Sequence, residues 1–317
     1  MTDERDFNES PDLSGTPEPE NPRSGFVALV GAPNVGKSTL LNALVGAKVS
    51  IVSPKVQTTR ARVLGITIEG DSQVIFVDTP GIFGARKRME RAMVAAAWQG
   101  AADADLVLLL VDSTKRGLDA DTRTIIDKLK ESGRRCMAAL TKVDLVEKEK
   151  LLVFADALSR EGIFDEIFMI SAVTGIALDE LRGMLADRMP EGPWLFPADQ
   201  ISDVPMRLLA AEIVREKLFL QLHQELPYAA TVETEKWEEF EDGSVKINCE
   251  IYVQRESQKA IILGRRGSRI KELGLAARQD LEQFLEQRVH LILHVKVREN
   301  WLENPEHYRP GGLDFNA

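Results

Sequence analysis

Residues 31 to 39 read GAPNVGKST and follow the apolar run FVALV at 26 to 30. The spacing glycine, four residues, glycine, lysine, serine supplies backbone amides that can wrap around phosphate oxygens. Such a loop needs a strand before it and a helix after it, and both are legible. GFVALV has the pattern of a short buried strand, and STLLNALVG is apolar at helical spacing until Gly46 stops it. This one feature points to an α/β domain in which Gly31, Val35, Gly36, Lys37, Ser38 and Thr39 form a phosphate cradle. Lys37 is then expected to reach the β- and γ-phosphates, and Ser38 to ligate Mg2+. The helix start offers unpaired amides to the anion.

Strand-like runs alternate with amphipathic stretches over 24–190, which predicts a mixed, mostly parallel sheet covered on both faces. The link GDS at 70 to 72 is too short for anything but a hairpin, so one edge strand should be antiparallel. A proline-rich linker is expected over 191–205. Beyond it, 206–305 reads as a smaller α+β unit in the order α-β-β-α-α-β, followed by a tail at 306–317. Residues 1–23 hold seven acidic and two basic residues, prolines and almost nothing apolar, and read as a disordered tail.

The other motifs of the first domain stand at successive strand ends. DTPG at 78 to 81 follows QVIFV, so Asp78 is placed beside the phosphates to hold a Mg2+ water, and Gly81 offers its amide to the γ-phosphate. QTTR at 57 to 60 precedes the antiparallel strand, where Thr59 can complete the metal shell. TKVD at 141 to 144 follows CMAAL. There Asp144 can accept from the guanine N1–H and amino group while the Lys142 stem lies along the base. ISA at 170 to 172 puts Ser171 and the Ala172 amide near the guanine oxygen. Adenine would leave the Asp144 carboxylate partly unpaired, which selects GTP and GDP.

In order and placement these motifs resemble the Era-like family of translation-factor-class GTPases, which carry a G domain followed by a type II KH domain that binds RNA. The resemblance runs from about residue 24 to 305. It implies GTP hydrolysis with Mg2+, binding of single-stranded 16S rRNA, a place in assembly of the 30S subunit, a monomer, and peripheral contact with the inner membrane. One departure is Thr141, where the family carries asparagine, so that residue's extra contacts to the base and to the phosphate loop are in question. The residue after DTPG, which is glutamine in Ras-like enzymes and orients the attacking water, is Ile82 here. One reading is that Ile82 packs under a switch in a slow enzyme. The other, by resemblance, is that Asn34 of the loop helps hold K+, whose charge acts near the phosphates. The catalytic set is therefore Lys37, Asn34, Thr59 and Gly81. Arg60, Arg86, Lys87 and Arg88 lie in or near the switches and could contact phosphate or RNA, although for 86 to 88 a solvated charged face is the reading favoured.

GRRG at 264 to 267 is weak alone, and GIFG at 81 to 84 has the same spacing. Its placement between two helices of the α+β unit resembles the KH loop, where small residues let a nucleic-acid backbone approach. Gly264 and Gly267 would allow that approach, and Arg265 and Arg266 would face phosphates. Lys259, Arg269 and Lys271 would extend the rim, with Ile261, Ile262, Leu263 and Ile270 as groove wall and core. Net charge is −10, which argues against RNA binding by the whole surface, yet 255 to 271 hold six basic residues and one acidic.

The longest apolar run, LVLLLV at 106 to 111, is far too short to span a membrane, and no signal segment opens the chain, so a cytoplasmic protein is expected. Cys136 and Cys249 read as small core residues, and His290 and His294 as packing or surface residues rather than ligands. Two functions remain: a GTP-driven switch on rRNA, and a regulatory GTPase whose second domain is a protein-interaction platform, perhaps at the inner membrane surface.

Overall fold

A computed structural model describes residues 19–85, 87–222, 226–299, 301, 305, 308, 313–315 and 317. The acidic stretch 1–18, Arg86, His223 and His307 lie outside the described residues. In chain order the first domain contains β1 (Arg23–Gly31), α1 (Lys37–Val45), β2 (Val63–Glu69), β3 (Ser72–Asp78), α2 (Arg88–Asp103), β4 (Leu106–Asp112), α3 (Ala120–Glu131), β5 (Cys136–Thr141), α4 (Lys148–Ser159), β6 (Phe164–Met169) and α5 (Leu178–Asp187). The second contains α6 (Met206–Gln221), β7 (Thr231–Glu239), β8 (Val245–Val253), α7 (Glu256–Leu263), α8 (Ser268–Leu285) and β9 (Val289–Val297).

The large sheet runs β2-β3-β1-β4-β5-β6, and only β2 is antiparallel to its neighbour. Side chains alternate across it, as strand geometry requires. Val27 and Leu29 of β1 face α1 and α5 in one core, while Ala28 and Val30 face α2, α3 and α4 in the other. The chain passes from β1 to β3 on one side and to β4 on the other. That reversal opens a crevice at the carboxyl ends of the strands, where ligands of open α/β sheets bind. The loop after β1 lies in that crevice.

The second domain is a three-stranded sheet, β7-β8-β9, with β7 antiparallel and β9 parallel to β8. Helices α6, α7 and α8 pack on it through Ile213, Leu218, Ile262, Leu273 and Leu281. The order α-β-β-α-α-β predicted from the sequence is the order observed. Cys136 and Cys249 are free and buried in β5 and β8, and burial pushes both thiols up to about 11. His290 and His294 are exposed on β9.

The segment between the domains packs along the first sheet rather than standing clear of it. Ser202 bridges Gly65 of β2, and the Gln73 side chain bonds Leu195 and Phe196 backbone groups. Among the described residues, no helix is long and apolar enough to cross a membrane.

Candidate active site and nucleic-acid interface

The cavity at the carboxyl end of β1 has a volume of about 380 Å3 and is lined by Asn34, Lys37, Ser38, Thr59, Gly81 and Lys142, among others. Glycine is required at two of its corners. Gly36 adopts φ 104°, and a Cβ on Gly81 would stand 2.9 Å from the Pro33 Cα. Lys37 is buried and its ammonium donates to the Gly31 and Ala32 carbonyls at 3.1 and 3.0 Å. Burial pushes its pKa down to about 8, opposed by the neighbouring Asp78 carboxylate.

Three oxygen-bearing side chains meet beside Lys37. Ser38 Oγ donates to Asp78 Oδ2 at 2.7 Å and lies 2.9 Å from Thr59 Oγ1. Asp78 is fully buried, and burial raises its pKa against the hydrogen bonds from Ser38, Ser50 and Thr59 and the charge of Lys37. Its other oxygen, Oδ1, is buried without a hydrogen-bond partner. A buried carboxylate with one oxygen unused, beside two hydroxyls, fits a hard divalent cation that takes oxygen ligands.

The base side is more open. Asp144 is exposed on the short turn Val143–Leu145, and Ala172 follows buried Ser171 at the end of β6; none of the three lines the cavity. The Thr141 hydroxyl lies 2.7 Å from the Val35 carbonyl and 3.3 Å from that of Val111. Thr141 therefore keeps a brace on the phosphate loop. With its proton donated there, it has none for a base. Lys142 adopts φ 60°, and its ammonium donates to the Asn34 carbonyl at 2.8 Å and to Asp112 at 2.7 Å.

The Asn34 side chain donates to the Pro54 carbonyl at 2.9 Å, joining the phosphate loop to the segment that carries Thr59. Ile82 is buried in the core under the sheet, and its amide donates to the Gly31 carbonyl at 3.1 Å. Its side chain cannot orient water.

That Thr59 segment is also tied to the second domain. The Val52 amide donates to Glu216 of α6 at 2.8 Å, and Lys55 donates to the Phe219 and Leu222 carbonyls. These carbonyls end α6, where the helix leaves acceptors unused. Arg215 donates to the Thr58 carbonyl. Arg60, expected at phosphate or RNA, instead donates to the Ala230 and Tyr228 carbonyls at 3.0 and 3.2 Å. It is taken up by the domain interface, because the short turn before β7, Pro227–Ala229, and Ala230 after it present carbonyls that a planar guanidinium can bridge. Lys87 is exposed, while Arg88 lies 4.4 Å from the Phe315 ring centroid.

In the second domain, Gly264 has φ 71° and ψ 176°, a region open essentially to glycine alone, and a Cβ there would meet that of Arg269 at 2.7 Å. Arg265 and Arg266 are exposed at the tip of the loop. The first turn of α8 behind them has no side-chain cap, so its amides add to the positive field. Arg269 differs from expectation: although exposed, it donates to the Ile261 carbonyl at 2.9 Å and so caps the end of α7. Lys271 is exposed and Lys259 is half-buried. Ile261 is exposed, Ile270 is half-buried, and Ile262 belongs wholly to the core.

Sequence reasoning missed three groups that shape the site. Ser50 donates to Asp78 at 3.0 Å. Asn42 of α1 accepts from the Val49 and Ser50 amides, each at 2.9 Å, which holds Ser50 in place. The third is Asp112. No spacing rule joins Asn42 or Ser50 to the loop, but Asp112 ends a strand beside β1, and that position alone could have flagged it.

Residues 26–142 match the family described as 50S ribosome-binding GTPase, and residues 225–302 match the KH domain. GTPase Era of Sinorhizobium medicae is 59% identical over 293 residues, covering 92% of this chain and 94% of that protein. GTPase Era of Agrobacterium fabrum is 56% identical, covering 99% and 98%. A crystal structure of Era in complex with MgGDPNP and nucleotides 1506–1542 of 16S ribosomal RNA superposes with TM-score 0.86 at 41% identity, over 92% of this chain and 99% of that one. The same values hold for a variant of Aquifex aeolicus Era bound to GDP and aluminium fluoride.

Proposed function

The chain belongs to the Era family of GTPases, and from that premise we propose that it hydrolyses GTP in the crevice after β1 and holds single-stranded 16S rRNA on its KH domain during small-subunit assembly. The meeting of Ser38 with buried Lys37, Thr59 and Asp78 in one cluster, with Asp78 Oδ1 unpaired, carries the catalytic half of this reading. Lys37 exchanges its loop carbonyls for β- and γ-phosphate oxygens. Ser38, Thr59 and Asp78 would hold Mg2+, whose chemistry when bound is positive charge for the phosphoryl oxygens. The Gly81 amide meets the γ-phosphate, and the amides of Gly36 to Thr39 cradle the rest. Asp144 reads guanine, with Lys142 along its face and Ala172 at its oxygen.

Ile82 cannot position the attacking water, and rate must come instead from charge placed near the phosphates. Asn34, whose side chain donates to the Pro54 carbonyl at 2.9 Å, would help hold a monovalent cation whose charge acts near the phosphates. Hydrolysis should be faster in potassium than in sodium at equal ionic strength, and Asn34→Ala should abolish the difference. Steady-state phosphate release in the two salts checks this, and equal rates would leave an enzyme that is merely slow.

The RNA half rests on the Gly264–Gly267 loop, the exposed arginines between its glycines, and the uncapped start of α8. Arg265, Arg266 and Lys271 meet phosphates, and Lys259 stands behind them. Nucleotide state reaches this domain through the Thr59 segment, because Lys55 and Arg215 bind it to α6. Lys55→Ala should therefore shrink the difference in RNA affinity between the GTP-analogue and GDP forms, while each ligand still binds alone. An unchanged difference in fluorescence titrations would remove Lys55 from the relay.

A further inference from the structure

The feature of the nucleotide site that no sequence motif contains is the carboxylate behind Lys142. Asp112 closes β4 and lies beside Thr141 of β5 in register, so it faces the same strand end as the guanine motif. Its Oδ1 accepts from the Thr114 amide at 2.9 Å and the Thr114 hydroxyl at 2.6 Å, which locks the carboxylate in orientation. Its Oδ2 takes the Lys142 ammonium at 2.7 Å. The Asp112 side chain is only 10% exposed and that of Lys142 34% exposed, so the pair is more shielded than an ordinary surface ion pair.

Lys142 itself is held in an unusual state. Its backbone is left-handed, a conformation lysine seldom adopts, and its side chain is fixed at the far end between Asp112 and the Asn34 carbonyl. An unfettered lysine samples many rotamers and would have to be ordered when a base lands on it. One anchored at both ends presents its methylene stem as a fixed surface, and that loss of freedom is met before the ligand arrives. The same ammonium contact ties the base side to the loop residue that meets Pro54.

We propose that Asp112 is a positioning residue for guanine: it pins the Lys142 stem as the platform on which the base lies. This rests on the assignment of Lys142 to the base side of the GTP site, and it predicts an effect felt by the base and not by the phosphates.

The test is calorimetric titration of the full chain with GDP and with ribose 5′-diphosphate, which lacks the base, both with Mg2+. Asp112→Ala should weaken GDP about tenfold and ribose 5′-diphosphate less than twofold. In a Lys142→Ala background, the same change should cost GDP less than twofold, because Asp112 acts through Lys142. Thermal melting without nucleotide shows whether each variant is folded, and Asp112→Asn replaces the alanine variant if that one is not. Equal losses for both ligands, an undiminished tenfold loss without Lys142, or no loss at all would overturn the inference. Failure of the unaltered chain to bind GDP would instead overturn the reading on which it rests.

Discussion

Asp144→Asn is expected to weaken GTP by about 100-fold and to bring xanthosine triphosphate above it in affinity. As proposed, the carboxylate would accept two hydrogen bonds from guanine, and bonds to a charged group contribute roughly 1.5–3 kcal/mol each. The carboxamide keeps one acceptor but turns a donor toward the guanine amino group, so one bond is lost and two donors confront each other. Xanthine has a carbonyl at that place and accepts from the new donor. The effect is expected to be large because Thr141 does not share the work. Its hydroxyl is committed to the Val35 carbonyl, which would leave base discrimination to Asp144. Competition binding with the two nucleotides checks it, and unchanged GTP affinity would remove Asp144 from the base site.

Replacing Arg265 and Arg266 together by aspartate should lower affinity for single-stranded RNA by at least tenfold, about 1.4 kcal/mol. The two proposed phosphate contacts would disappear and two like charges would take their place, at a loop where Gly264 leaves no side chain to hold the backbone away. The loss should deepen as salt is lowered, since the repulsion is then less screened. GTP affinity should stay within twofold, because Lys37 and the metal-binding oxygens belong to a domain with its own cores. RNA and GTP titrations on one folded variant, with circular dichroism as control, read both. Normal RNA binding would reduce the loop to a turn.

What could be read from the chain alone was whatever is encoded locally. The phosphate loop, its strand and its helix are contiguous, and the two-residue link of the β2–β3 hairpin leaves the edge strand one direction. The α-β-β-α-α-β order likewise follows from periodicity segment by segment. Legibility ended where partners are distant in sequence. Val52 and Glu216 are 164 positions apart, and Arg60 and Ala230 are 170 apart. A basic residue beside the switch therefore looked like a phosphate contact, while its true partners were carbonyls of the other domain. The Arg269 contact with Ile261 was unreadable for a related reason: a cationic side chain just after a loop can cap the preceding helix as readily as it can face RNA. Asn42 and Ser50 escaped notice because their role is to hold Asp78, and nothing in their spacing points to a metal site.

Helix α6 joins the segment that carries Thr59 to the core of the KH domain, and the RNA half of the proposal turns on what the chain holds in the cell. Crosslinking in living cells, followed by sequencing of the attached RNA, measures that directly. One dominant segment of 16S rRNA is expected, lost when Arg265 and Arg266 are replaced by aspartate. Crosslinks to proteins alone, or to RNA with no preferred segment, would contradict it.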